Sequence, residues 1–202
     1  MRIFGTILAG GQGRRLGGVD KALLRLGDET LLARAVARLG PQVEMLALSA
    51  NGPEAAYRAA GLGREDAVLP DPPPGDQGPL AGVLAGLDWA RAGGADWLVT
   101  AAVDTPFLPC DLVPRLLLAA ETAGTGMAIA ASGGRRHPTA ALWPVGFREA
   151  LAAELAGGLR RLGAFGVARG AALAEFPVGP GPDPFFNINT AGDLASAGAA
   201  LG

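Results

Sequence analysis

Behind an apolar run at the start of the chain, the stretch TILAGGQGRRLGGVDKALL (residues 6–24) sets Gly10, Gly11, Gly13, Gly17 and Gly18 among Arg14, Arg15 and the pair Asp20 and Lys21. Gly10, Gly11 and Gly13 let a backbone bend through positive φ and turn its N–H groups toward an anion, while Arg15 and Lys21 supply countercharge. The chemistry this fits is the holding of a polyphosphate. A Walker A loop needs Gly-Lys-Ser/Thr, but Lys21 stands between Asp20 and Ala22, which excludes it. A dinucleotide fingerprint spaces its glycines G-x-G-x-x-G, and Gly11, Gly13 and Gly17 are one residue too long for it. The second apolar strand also ends in Ser49, Ala50 and Asn51, with no acid for a ribose. A nicotinamide cofactor is thereby left as a weak alternative, and an ordinary tight strand-to-helix connection as the plain one. So many glycines and cations together weigh toward an anion site.

Three more polar residues follow apolar strands: Asn51, Asp71 and Asp104. In a parallel sheet they emerge on the same edge as the glycine loop, which is where open α/β sheets bind ligands. Asp104 follows VTAAV and is fixed by Thr105 and Pro106. With no permanent cation expected beside it, its carboxylate points to Mg²⁺ carried in with a polyphosphate; a turn cap is the alternative. In FFNINT (185–190), extended backbone turns Asn187 and Asn189 the same way, so two amides converge on one ligand or else satisfy a turn. Thr190 and Asp193 make a capping signature for a last helix. His137, the single histidine, has no partner for a protein-only metal site, and no G-x-S-x-G elbow exists for a hydrolase triad. Arg135, Arg136, Arg160 and Arg161 form two basic clusters, open equally to solvent or to a second anionic substrate.

The elements that must position these residues are legible from apolar patterning. Strands are predicted at 2–8, 43–49, 67–70 and 97–103, each a continuous apolar run suited to a sheet buried on both faces. Helical stripes begin at Thr30 and near Leu80 and close at Gly40 and Gly93. The alternating order implies an α/β fold: a parallel sheet, right-handed crossovers and helices on both faces. Later, 127–131 and 139–143 flank a basic, glycine-rich turn, SGGRRHP, expected as a hairpin or a broad loop, and helices at 145–156 and 159–168, a strand at 172–176 and the last helix follow. At 202 residues one domain is expected. A net charge of −2 argues against a general nucleic-acid or anionic-membrane binder. The lone Cys110 excludes an internal disulfide, and without a signal segment or long apolar run a cytoplasmic protein is expected.

LAGGQGRRLGGVDKALL resembles the opening motif, LAGG-x-S-x-RMG-x-DK, of the MobA-type nucleotidyltransferases. With GPLAG (78–82), DTPFLP (104–109), RHPTAAL and FNINT in the same order, the resemblance extends along the whole chain, and within that family to the molybdenum cofactor guanylyltransferases. Gly13 replaces a common Ser and Leu16 a usual Met; neither removes a charge. The last helix opens Thr-Ala-Gly-Asp where the family often has Thr-Pro-Glu-Glu, a weaker start. The resemblance implies a three-layer α/β/α domain over 1–202, of nucleotide-diphospho-sugar transferase-like fold, with a mainly parallel sheet and a Rossmann-like N-terminal half. It implies transfer of GMP from Mg-GTP to the terminal phosphate of molybdopterin, free or metal-loaded, with pyrophosphate released. Leu8, Ala9, Gly10 and Gly11 would lie along the nucleotide, with Lys21 on its phosphates. Asn51 and Asp71 would lie near base or ribose. Asp104 would hold Mg²⁺, and Arg15 would share the catalytic role with Lys21 and Asp104. Asn187, Asn189, Arg160, Arg161 and His137 would face the acceptor, the asparagines alternatively helping with the metal. Contacts with proteins that deliver or receive the cofactor are also implied. A cytidylyltransferase, a sugar-phosphate nucleotidyltransferase and a non-catalytic nucleotide-binding module are the rival expectations.

Overall fold

The computed structural model describes residues 1–10, 19–72, 78–159 and 161–201. Gly11, Gly13, Arg14, Arg15, Gly17, Gly18 and Arg160 lie outside the described residues. The chain runs β1 (Ile3–Leu8), a short hairpin of β2 (Arg25–Leu26) and β3 (Glu29–Thr30), α1 (Leu31–Leu39), β4 (Met45–Ser49), α2 (Glu54–Ala59) and β5 (Ala67–Leu69). It continues with α3 (Pro79–Ala92), β6 (Trp97–Ala102), α4 (Leu112–Ala123), β7 (Ala128–Ser132), β8 (Arg135–Pro144), α5 (Arg148–Ala156), α6 (Leu162–Ala168), β9 (Ala172–Phe176) and α7 (Ala191–Ala199).

Seven strands make one sheet in the order β5-β4-β1-β6-β8-β7-β9. β1 is parallel to β4 and β6, and β4 to β5, so the carboxyl ends of these four share one edge. β8 is antiparallel to both neighbours, while β9 is parallel to β7. The sheet is therefore mixed but mostly parallel. Its reversed strand has a local cause: Ser132 pairs with Arg135 across Gly133 and Gly134, whose φ values of 52° and 75° form a two-residue turn matched to strand twist. Where the sequence allowed a hairpin or a broad loop at SGGRRHP, the hairpin is tight and Arg135, Arg136 and His137 already belong to the strand.

Helices cover both faces. Ile7, Val99 and Ala101 pack with Leu31, Leu32 and Leu39 of α1 and Leu112 and Leu116 of α4. Phe4, Leu8 and Leu98, one step away on the same strands, pack with Leu80, Val83 and Leu87 of α3 and Leu151 and Phe165 beyond. That alternation is the period of two of a strand buried on both sides. α3 lies close against the sheet because glycines face it. A Cβ on Gly82 would stand 2.5 Å from Ser49 Oγ, and one on Gly86 2.8 Å from Thr6 Oγ1. Larger residues there would push the helix, and the site at its N-terminal end, away from β1. At the start of α7, Thr190 and Asp193 form the complete capping box that their spacing predicts.

Candidate active site

The ladder of the parallel half continues one step past its strands, with Ala9 N–H donating to Ser49 O at 2.9 Å, Val103 N–H to Leu8 O at 3.0 Å and Ala50 N–H to Leu69 O at 3.0 Å. Beyond that step the chains splay, and a cavity of about 220 Å³ opens between them. Leu8, Ala9 and Gly10 line one wall, Ala102, Val103 and Asp104 another, and Lys21, Pro79, Thr139 and Asn187 complete it. Pro79 is the first residue of α3, so the N-terminal end of that helix faces the cavity; proline has no N–H and Ala81 N–H donates to Gly78 O at 3.1 Å, so the helix favours an anion there chiefly through its dipole. Gly10 does not take the positive φ expected of it. It lies beside Asp71, where a Cβ would make ordinary contact at 3.6 Å from the carboxylate.

Lys21 and Asp104, far apart in sequence, meet in this cavity. Lys21 Nζ donates to Asp104 Oδ2 at 2.7 Å and to Asn189 Oδ1 at 2.8 Å, and both ionic side chains are mostly buried. The expectation of a carboxylate with no cation beside it is thus corrected, because the turn carrying Lys21 folds across the strand ends. Asp104 still has capacity to spare. Its Oδ1 is buried and has no partner among the described residues. Those residues contain no grouping of three or more His, Cys, Asp or Glu able to enclose a metal. A lone carboxylate with a free oxygen fits Mg²⁺, which takes most of its ligands from phosphate and water.

On the neighbouring strand ends, Asn51 and Asp71 hold one another. Asn51 Nδ2 donates to Asp71 Oδ2 at 2.9 Å, and Asp71 N–H donates to Asn51 Oδ1 at 2.9 Å. This leaves Asp71 Oδ1 buried and unpartnered among the described residues. It is an acceptor fixed in orientation. Lys21 itself opens a short 3₁₀ turn, Lys21–Leu23, whose N-cap is Asp20 through Ala22 N–H to Oδ1 at 3.0 Å. Asp20 Oδ2 accepts from the Tyr57 hydroxyl at 2.7 Å. The burial of Tyr57, reinforced by the Asp20 carboxylate, pushes its phenol up to about 12.

The far wall is built differently. Ile188 is buried, and its N–H donates to the carbonyl of Asp104 at 2.9 Å, which brings Asn187 and Asn189 to the cavity. Asp193 of the capping box also accepts from Asn189 N–H at 2.9 Å; with the Thr190 bonds and the nearby Lys21 charge, this holds its carboxyl below the usual range. Upstream, Asp183 accepts from Phe185 N–H at 2.8 Å and from the fully buried Ser132 hydroxyl at 2.9 and 3.0 Å. That hydroxyl proton is committed to a carboxylate, so Ser132 Oγ accepts from His137 Nε2–H at 2.8 Å. His137 also stacks on Phe185, ring centres 4.5 Å apart. Ser, His and Asp here form no catalytic triad, because the serine is in the middle and sealed from solvent. Burial is the main cause of the lowered His137 pKa; Arg135 adds to it and Asp183 opposes it. The register of β7 and β8 slips between Ile129 and Ala130, leaving Pro138, Thr139 and Ala140 without counterparts on β7. This bulge carries Thr139 into the cavity wall.

Of the residues singled out from sequence, Leu8, Ala9, Gly10, Lys21, Asp104 and Asn187 share the cavity, and Asn189 joins through Lys21. Asn51 and Asp71 sit beside it at Gly10. His137 is outside the lining and turned to Ser132, and Arg161 is exposed at the start of α6, also outside it. Sequence reasoning missed Tyr57, Ser132, Thr139 and Asp183. Ser132 opens SGGRRHP, Thr139 lies within RHPTAAL and Asp183 stands in the proline-rich approach to FFNINT, but nothing in those stretches singles them out, and Tyr57 has no local motif.

Residues 5–171 match the family described as MobA-like NTP transferase domain. A molybdenum cofactor guanylyltransferase of Cereibacter sphaeroides is 56% identical over 201 residues, covering 100% of this chain and 98% of its own. Another, from Mesorhizobium japonicum, is 50% identical, with 98% and 96% covered. Among solved structures, a molybdopterin-guanine dinucleotide biosynthesis protein A from Archaeoglobus fulgidus superposes with a TM-score of 0.73 at 22% identity, covering 98% of each chain. A 2-C-methyl-D-erythritol 4-phosphate cytidylyltransferase from Thermus thermophilus superposes with a TM-score of 0.65 at 23% identity, also with 98% of each covered. At those identities the structures establish the shared fold alone.

Proposed function

The chain belongs to the MobA-like NTP transferase family, and we propose that its cavity is where GTP and molybdopterin are brought together. Its activity is that of a molybdenum cofactor guanylyltransferase. A GMP unit passes from GTP to the terminal phosphate of the pterin. An acceptor phosphate oxygen bonds to the α-phosphorus, the bond from that phosphorus to the bridging oxygen breaks, and pyrophosphate leaves with the electron pair. The acceptor is already an anion, so no proton need be removed. The obstacle is repulsion between two anionic substrates, and the protein's task is to offset it.

The observation that carries this reading is the meeting of Lys21 and Asp104 at one sheet edge, 2.7 Å apart, before the N-terminal end of α3. Lys21 and the positive end of the α3 dipole offer charge to the triphosphate, and Arg15 belongs to the same proposal. Asp104 would hold Mg²⁺ through its spare oxygen. When bound, that ion supplies charge neutralisation across the phosphates. Asp71, oriented by Asn51, offers Oδ1 to guanine N1–H and N2–H; cytosine lacks this pair of donors. Asn187 and Asn189 face the acceptor, Arg160 and Arg161 are proposed as further acceptor contacts, and His137, turned to Ser132, supports that wall from behind rather than touching the acceptor.

Residues 1–202 act as one nucleotidyltransferase domain in this reading. No helix among the described residues is long and apolar enough to cross a membrane. A cytoplasmic location and transient contact with proteins that supply or receive the cofactor complete the proposal. The test is a panel of Mg·GTP, Mg·CTP and Mg·ATP in calorimetry, followed by pyrophosphate release with molybdopterin supplied. Preferential binding of GTP and release only with acceptor present are expected. Preference for CTP would reassign the base pocket.

A further inference from the structure

We propose that Tyr57 is a positioning residue whose hydroxyl ties the base-side loop to the phosphate-binding lysine, so that one grips correctly only when the other is in place. Tyr57 is the sole tyrosine of the chain and is 1% exposed. It lies on α2, outside the cavity lining. A phenylalanine would fill the same apolar space without a polar atom to bury. The hydroxyl must therefore be accounted for by what it holds.

It holds two things. It accepts from Gly52 N–H at 2.9 Å and donates to Asp20 Oδ2 at 2.7 Å. Gly52 directly follows Asn51, the residue that orients Asp71. Asp20 directly precedes Lys21, and its other oxygen caps the turn on which Lys21 sits. The path thus runs from Asp71 through Asn51, Gly52, the phenol and Asp20 to Lys21, and every link is a hydrogen bond or a single peptide step. Packing leaves little slack: a Cβ on Gly52 would stand 3.1 Å from Tyr57 Cζ and 3.5 Å from Asp20 Oδ2. With its phenol pushed up to about 12, Tyr57 keeps its proton and its bond to Asp20 at every working pH. Energy gained at the base is then expressed as orientation of the cation that meets the phosphates, the use of remote contacts that speeds a reaction rather than merely tightening it.

The inference rests on the assignment of Lys21 to the triphosphate, so its test separates the two. Mg·GTP affinity is measured by calorimetry for the full chain, Tyr57→Phe, Lys21→Ala and the double variant, with circular dichroism confirming the fold. Tyr57→Phe is expected to weaken GTP about ten-fold in the native background, equivalent to about 1.4 kcal/mol, and to change it less than about two-fold once Lys21 is absent. An equal loss in both backgrounds, or no loss in either, overturns the coupling. Unchanged affinity in Lys21→Ala alone overturns the phosphate assignment and the inference with it, a result visible without any Tyr57 variant. Should Tyr57→Phe fail to fold, Asp20→Asn, which keeps an acceptor for Ala22 N–H and removes the one facing the phenol, carries the same cycle.

Discussion

The two walls of the cavity, one proposed for the nucleotide and the other for the acceptor, are held in place by different means. On the nucleotide wall, Leu8, Ala9, Asn51, Asp71 and Asp104 each stand at or just past the end of a parallel strand, and the sheet itself sets their spacing. On the acceptor wall, Asn187 and Asn189 belong to no strand. They hang from Ile188 N–H on the Asp104 carbonyl, from the capping box of α7, and from the buried meeting of Ser132, His137 and Asp183. A wall built by a sheet edge should lose function chiefly when a contacting side chain is changed, with the Tyr57 hydroxyl a remote support of smaller weight. A wall hung from tethers should lose it when residues that never meet substrate are changed.

The hardest blow to the nucleotide wall is Asp104→Ala. Transfer should fall by about 10³-fold or more, in line with removing a charge-stabilising group from a phosphoryl site, while the melting temperature stays near that of the parent. Pyrophosphate release at ordinary Mg²⁺ is the measurement, and full turnover would remove Asp104 from the chemistry. Next in size is Asp71→Ala, expected to weaken GTP by about 10- to 100-fold and CTP far less, because a site built around paired donors loses its discrimination with the acceptor. Competition binding with the two nucleotides reads this directly. Equal losses for both would move Asp71 from the base to the ribose or the scaffold.

The acceptor wall is probed by Asp183→Ala, which frees the Ser132 hydroxyl and the Phe185 N–H together. The KM for molybdopterin should rise about ten-fold with GTP affinity unchanged, alongside a stability loss of about 1–3 kcal/mol for buried groups left unpaired. If GTP affinity falls in step, the two walls are one structure and the distinction fails.

The same contrast explains which residues could be found from the sequence. Asn51, Asp71 and Asp104 were legible because each comes just after an apolar run, and parallel strands deliver the residues after their carboxyl ends to one edge. The Thr190 and Asp193 cap was legible because its bonds are local. The ion pair of Lys21 with Asp104 was not, since 83 residues separate the partners and only the fold of the turn across the strand ends joins them. Asp183 and Ser132 are 51 residues apart, and no periodicity marks a serine as the centre of a buried network. The bulge that delivers Thr139 is a matter of register, which polar and apolar patterning fixes only within a regular ladder.

The smallest expected effect is a pH dependence confined to the acceptor wall. His137 is the single histidine, so its imidazole resonances in NMR are unambiguous. Its pKa lies below the ordinary value of 6.5, with burial as the first cause; Arg135 adds to the shift and Asp183 opposes it. A proton therefore binds the unfolded chain more readily than the folded one. The stability this group contributes is complete above about pH 6.5 and is lost as pH falls from there through the folded pKa, at no more than about 1.4 kcal/mol per pH unit. A protonated ring keeps its Nε2–H bond to Ser132 but carries charge into the stack on Phe185, so the tether loosens rather than breaks. Melting temperature should decline modestly between pH 6.5 and 5 in the parent and less in His137→Gln, with molybdopterin KM rising over the same interval and GTP affinity level. A GTP affinity that follows the histidine titration would show that the tether reaches across the cavity, and the walls would have to be treated as coupled.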